Sequence, residues 1–162
     1  YVIIGHSERR QYFGETDKTV NMRTVQALKN DLKPIVCVGE TEAEREAGLT
    51  EKVLETQIVE GLKGFKAKDF DKIVIAYEPV WSIGTGKNAS TEIAQDICAF
   101  IRDIVKEMYE GAEEEILILY GGSVKPENVK GYLRQNDVDG ALVGGASLKV
   151  ESFEAMIRNL AE

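Results

Sequence analysis

Two side chains in this sequence are placed for proton chemistry. Glu78 follows Ile75-Ala76-Tyr77 and precedes Pro79. A carboxylate at the end of a buried apolar run can have its pKa raised by desolvation, which suits a general base. Taken alone, the residue reads more readily as a strand-end ion pair or a solvated group. His6, the only histidine, follows Ile3-Ile4-Gly5 and precedes Ser7-Glu8-Arg9-Arg10. An imidazole there could donate or shuttle protons, or stand as a satisfied, partly buried structural group. One histidine without a cysteine cluster argues against a zinc site, so no metal is expected.

Glycine-rich turns form a second group. Gly121-Gly122-Ser123 and Gly144-Gly145-Ala146-Ser147 each follow an apolar run. Amides exposed before a helix bind phosphate through direct hydrogen bonds and the helix dipole. Tight turns explain either pair alone; the two together favour phosphate. The segment Trp81-Ser82-Ile83-Gly84-Thr85-Gly86-Lys87 has two glycines for backbone freedom. Its apolar tip suits a lid that closes over a site, though an ordinary loop with a packed Trp reads the same way.

These groups need a scaffold that brings them together. The apolar runs are residues 1–5, 34–38, 73–77, 116–120 and 140–143. Each is short and nearly continuous in apolar character, as strands buried on both faces of a parallel sheet are. Amphipathic helices lie between them. Ile93, Ile97, Ile101, Ile104, Val105 and Met108 share one helical face, and Ser90 is placed to cap that helix. Thr41-Glu42-Ala43-Glu44 fits a capping box. Further stripes are Val53, Leu54, Ile58 and Leu62, then Phe153, Met156, Ile157 and Leu160.

Strand followed by helix, repeated five times, predicts an α/β fold with a parallel sheet and right-handed crossovers in a single domain, 1–162. An open doubly wound sheet and a (β/α)8 barrel both fit this order. The barrel needs ~250 residues, so it would require three more units, roughly 90 residues, upstream. In either architecture the candidate residues follow the C-terminal ends of strands: His6-Ser7, Gly39-Glu40, Glu78-Pro79, Gly121-Gly122-Ser123 and Gly144-Gly145. In a barrel those ends form one rim, where active sites sit.

Composition narrows the partners. The chain is 43% hydrophobic and 30% charged, with a net charge of −8. That acidity argues against nucleic acid but permits a local anion site. No apolar run approaches the roughly 18 residues of a membrane helix. Cys37 and Cys98 lie in apolar patterns and read as free thiols, as in a reducing cytoplasm.

Taken jointly, YVIIGHSERR, PIVCVGET, AYEPVWSIGTGK, ILYGGSVKPEN and DGALVGGASL resemble the triosephosphate isomerase family, from its fourth strand to its last helix. The resemblance implies a TIM barrel and a cofactor-free interconversion of dihydroxyacetone phosphate and glyceraldehyde 3-phosphate in glycolysis and gluconeogenesis. Glu78 would be the base and His6 the neutral electrophile, roles for which this enzyme is a standard illustration. Ser7 and Glu8 would support them. Pro79, Val80, Trp81, Ser82, Ile83, Gly84, Thr85, Gly86 and Lys87 would belong to a lid over residues 79–89. The Gly84 amide, Ser123, Gly144 and Gly145 would hold the phosphate. Glu40 would anchor Trp81 in the open lid, and Tyr120 with Ser123 would hold the closed one. Asn88 departs from the small polar residue usual at the lid's end.

The resemblance also implies an active-site Asn and Lys upstream of Tyr1 and a homodimer for the complete enzyme. The strands at 1–5 and 140–143 would be the sheet edges. Open parallel edges invite pairing, so the chain alone is expected to self-associate or pair with an upstream segment and to show little activity. A barrel fragment that folds without catalysis is the alternative.

Overall fold

The computed structural model describes residues 1–83 and 87–161. Five parallel strands form one sheet in the order of the chain. They are β1 (Val2–Ile4), β2 (Pro34–Val38), β3 (Val74–Tyr77), β4 (Leu117–Tyr120) and β5 (Gly140–Ala141). Consecutive strands in sequence are neighbours in space, so each connection crosses over and returns beside the strand it left.

The register separates two faces. Ile4, Val36, Ile75 and Ile118 stand opposite one another across four strands and are all buried. Helices cover this row. α2 (Asp17–Lys29) packs on β1 and β2, and α5 (Thr91–Met108) packs on β4. α4 (Thr50–Leu62) wedges between α2 and α5 with Leu54, Ile58 and Leu62 inward. On α5 the buried positions Ala94, Cys98, Ile101, Ile104 and Val105 recur at helical spacing, which is why this segment forms an amphipathic helix. Ser90 accepts from the Ile93 amide at 3.2 Å, and Thr41 and Glu44 form the reciprocal capping box that starts α3 (Glu42–Glu46).

The opposite face departs from the expectation of burial on both sides. Ile3, Ile35, Val74 and Leu117 are in register, yet Ile3 is 47% and Leu117 50% exposed. The continuous apolar runs therefore describe strands with an apolar second face that is covered only around the middle of this sheet. The remaining helices are α1 (Ser7–Tyr12), α6 (Val129–Tyr132) and α7 (Val150–Ala161). On α7 Met156 is buried, but Phe153, Ile157 and Leu160 of the expected stripe are largely exposed. β1 and β5 are the two edges of the sheet.

Candidate active site

His6 caps the first turn of α1 directly after β1. The backbone turns there through Gly5, whose φ of +76° favours glycine, and a Cβ would stand 3.0 Å from the Val20 side chain. Arg10 braces the strand ends from α1. Its Nε donates to the Gly5 carbonyl at 2.8 Å, its Nη2 to the Cys37 carbonyl at 3.2 Å, and it pairs with Asp17 at 2.6 Å. The C-terminal ends of β1 and β2 and the start of α2 are thereby held by one guanidinium.

Glu78 leaves the end of β3 and is 3% exposed. Its Oε1 lies 3.0 Å from His6 Nε2, and its Oε2 accepts from the Ser7 amide at 3.0 Å. The Glu8 amide donates to His6 Nδ1 at 3.3 Å. Nδ1 is thus an acceptor, and the tautomer that satisfies both contacts carries its proton on Nε2. The hydrogen bond that His6 donates to Glu78 raises the imidazole pKa; burial lowers it, and the charges of Glu78 and Glu8 add to the rise.

The turn after β2 approaches Glu78 closely. A Cβ on Gly39 would lie 1.7 Å from the Glu78 carbonyl oxygen, so only a hydrogen fits. Gln57 on α4 grips the same peptide from the other side: its Oε1 accepts from the Gly39 amide at 2.8 Å and its Nε2 donates to the Gly39 carbonyl at 3.2 Å. The Glu78 amide donates to the Val38 carbonyl at 2.7 Å, extending the strand pairing to the catalytic candidate itself.

A cleft of about 340 Å³ opens at these strand ends. His6, Glu78, Ile83, Gly121, Gly122, Ser123, Gly144 and Gly145 are among the residues that line it. The structure thus brings together both candidate proton-transfer groups and both glycine turns.

The sequence profile described as Triosephosphate isomerase matches residues 1–160. The chain belongs to the triosephosphate isomerase family. Curated relatives of that name include those of Trichlorobacter lovleyi (58% identical), Moorella thermoacetica (59%) and Geobacter metallireducens (61%). The matches cover 98%, 97% and 97% of this chain and 63% of each relative. The chain therefore spans about 63% of the length of the triosephosphate isomerases it matches.

The segment expected as a triosephosphate isomerase lid is described only at its two ends, because Gly84, Thr85 and Gly86 lie outside the described residues. Pro79 is buried and Val80 half-buried, and a short helical turn carries Val80, Trp81 and Ser82. Trp81 Nε1 donates to Glu40 Oε1 at 2.8 Å. Glu40 is fully buried and also accepts from the Tyr77 hydroxyl at 3.2 Å. Arg45 lies 3.5 Å from the same oxygen and stacks its guanidinium over the Trp81 ring at 4.4 Å. At the far end Lys87 pairs with Glu42 on α3 at 2.5 Å. Tyr120 and Ser82 bury their hydroxyls, and neither forms a hydrogen bond among the described residues. They face one another over Gly122, where a Cβ would meet Tyr120 Oη at 2.2 Å and Ser82 Oγ at 2.9 Å.

Gln57, Arg45 and Tyr77 belong to this framework but were not legible in the sequence. Each sits inside a helix or strand whose periodicity marks its face and says nothing of its polar contact. Among the described residues, no group of acidic, His or Cys side chains could hold a metal ion, and no helix is long and apolar enough to cross a membrane.

Proposed function

We propose that this chain supplies the base, the electrophile and the anion site of a triosephosphate isomerase. The reaction interconverts dihydroxyacetone phosphate and glyceraldehyde 3-phosphate inside a barrel completed by units like those upstream in the longer relatives. The observation that carries the reading is the single cleft joining His6 and Glu78 to Ser123, Gly144 and Gly145. A proton-transfer pair beside two glycine turns suits a small phosphorylated substrate.

In this reading Glu78 takes a proton from the carbon next to the substrate carbonyl. The electron pair of the broken C–H bond becomes the new C=C bond, and the carbonyl electrons move to oxygen. The Nε2–H of His6 donates to that developing oxyanion, a neutral donor oriented in advance by the Glu8 amide on Nδ1. His6 gives its Nε2 proton to that oxyanion and takes the proton of the adjacent hydroxyl; as the electrons of that second oxygen form the new carbonyl, the C=C pair takes the proton back from Glu78 at the former carbonyl carbon. Proton transfer within one substrate needs no cofactor. The direct contact between Glu78 and His6 implies that the carboxylate leaves both Ser7 and His6 when substrate enters. Closure of the segment carrying Trp81 over the cleft would exclude water and protect the enediolate. The arrangement of Trp81 on Glu40 corresponds to the open state.

The complete protein is read as a cytoplasmic homodimer, on the resemblance alone. Joining the upstream portion of the Trichlorobacter lovleyi relative to this chain and following conversion of dihydroxyacetone phosphate tests the proposal. Turnover by the hybrid is expected. A folded, monodisperse hybrid without turnover would refute it, leaving the alternative of a barrel piece that folds without catalysis.

A further inference from the structure

Tyr132 stands at the end of α6 and takes no part in the reaction just described. It is 2% exposed, and its hydroxyl donates to the Ala89 carbonyl at 2.6 Å across 43 residues of sequence. Ala89 is itself 2% exposed. It is the last residue before Ser90, the cap of α5, and so the point where the Trp81–Lys87 segment rejoins the fold. The Tyr132 ring is stacked on Tyr120, with centroids 4.1 Å apart and planes 20° from parallel. The Tyr120 hydroxyl in turn faces Ser82, near the other end of that segment, over Gly122.

We infer that Tyr132 is a positioning residue that fixes Ala89, the C-terminal foot of the expected lid, at the entry to α5. The inference rests on the isomerase reading for its consequence in catalysis, but the clamp itself does not. Three observations converge. A buried carbonyl needs a donor, and Tyr132 provides one where the chain leaves its loop and enters a long, well-packed helix. The stacked ring gives that donor a rigid mount, because Tyr120 is held in the core beside it. And through Tyr120 the same mount reaches Ser82, so the two ends of the segment bear on one aromatic pair. In the isomerase reading the lid expected over residues 79–89 helps to hold the phosphate, so a foot that drifts would cost binding energy from that non-reacting group.

The test uses Tyr132→Phe, which keeps the stacked ring and removes only the hydroxyl. Hydrogen exchange in this chain is the first readout. The amides of Ile93 and Ala94, both bonded to Ser90 at this foot, are expected to exchange about tenfold faster in the variant, the scale of one lost buried hydrogen bond, while β3 and the centre of α5 keep their protection. Unchanged exchange at 93–94, or a rise spread over the whole chain, overturns the clamp. The second readout is kinetic, in the hybrid barrel described above. The ratio of kcat/KM for the phosphorylated triose to that for glyceraldehyde, the same triose without phosphate, is expected to fall about tenfold. A variant that slows both substrates alike, or neither, contradicts a role in positioning the lid. A wild-type hybrid that turns over neither substrate rejects the isomerase reading instead, and hydrogen exchange then decides the clamp alone.

Discussion

Replacing Gly39 by Ala probes the close approach between the ends of β2 and β3. The added Cβ would stand 1.7 Å from the Glu78 carbonyl oxygen, half of an ordinary 3.4 Å contact. Both atoms belong to, or are fixed to, backbone, so no side chain can yield. The strand ends must part. That movement strains the 2.7 Å bond from the Glu78 amide to the Val38 carbonyl and the paired bonds of Gln57 to the Gly39 peptide. A displacement near 1 Å at a catalytic group can cost about 100-fold in rate, and overpacking of this kind costs about 1–3 kcal/mol. Gly39→Ala is therefore expected to lower kcat of the hybrid barrel by about 100-fold and to shift its urea midpoint downward. Steady-state assays and denaturation curves measure both. Gly145→Ala is the matched control for stability, because a Cβ there meets nothing within 4 Å and the residue opens a short helical turn, so its urea midpoint should stay near wild type. A Gly39→Ala variant with kcat within about threefold of wild type and an unshifted midpoint would show that the Glu78 backbone does not position the base.

Other consequences follow from the same geometry. The raised pKa of His6 means that its pairing with Glu78 stabilises the fold below the ordinary value of 6.5 and fades as pH rises through the folded value. The urea midpoint of wild type minus that of His6→Gln should therefore shrink as pH rises from below 6.5 through the folded value; a difference that grows with pH contradicts the pairing. Glu40→Gln weakens the acceptor shared by Trp81 and Tyr77, at about 1–3 kcal/mol. Trp81 is the only tryptophan of the chain, so its emission should shift to the red and quench more readily in that variant, and an unchanged spectrum would argue against the anchor. The chain alone, with β1 and β5 as edges and Ile3 and Leu117 half exposed, is expected to self-associate. A single monomeric boundary in sedimentation would count against that.

The strand and helix order was legible because apolar runs and helical stripes carry it. The runs at 34–38, 73–77 and 116–120 became strands within a residue of those bounds, and Ser90 and Thr41 cap the helices expected of them. β5 shortened to Gly140–Ala141, although the Leu142 amide still donates to the Tyr120 carbonyl at 3.0 Å, and Leu142 and Val143 line the cleft. Apolar character could not tell a covered face from an open one, so the exposure of Ile3 and Leu117 was illegible. At the site, Glu78, His6 and the glycine turns stood out because polar or glycine residues directly after apolar runs are unusual in type and repeated in place. The contacts that hold them were hidden. Arg10 reaching two strand-end carbonyls, Gln57 on Gly39 and Tyr132 on Ala89 depend on which residues distant in sequence meet, and no local pattern records that.

Solvent deuterium incorporation tests the proton-transfer claim at its source. In deuterium oxide, the hybrid barrel carrying this chain should exchange a carbon-bound hydrogen of dihydroxyacetone phosphate, followed by proton NMR, and Glu78→Gln should slow that exchange by about 10²–10⁴-fold while leaving the fold intact. Exchange in Glu78→Gln at the wild-type rate would mean that another group moves the proton, and the role assigned to Glu78 would be wrong.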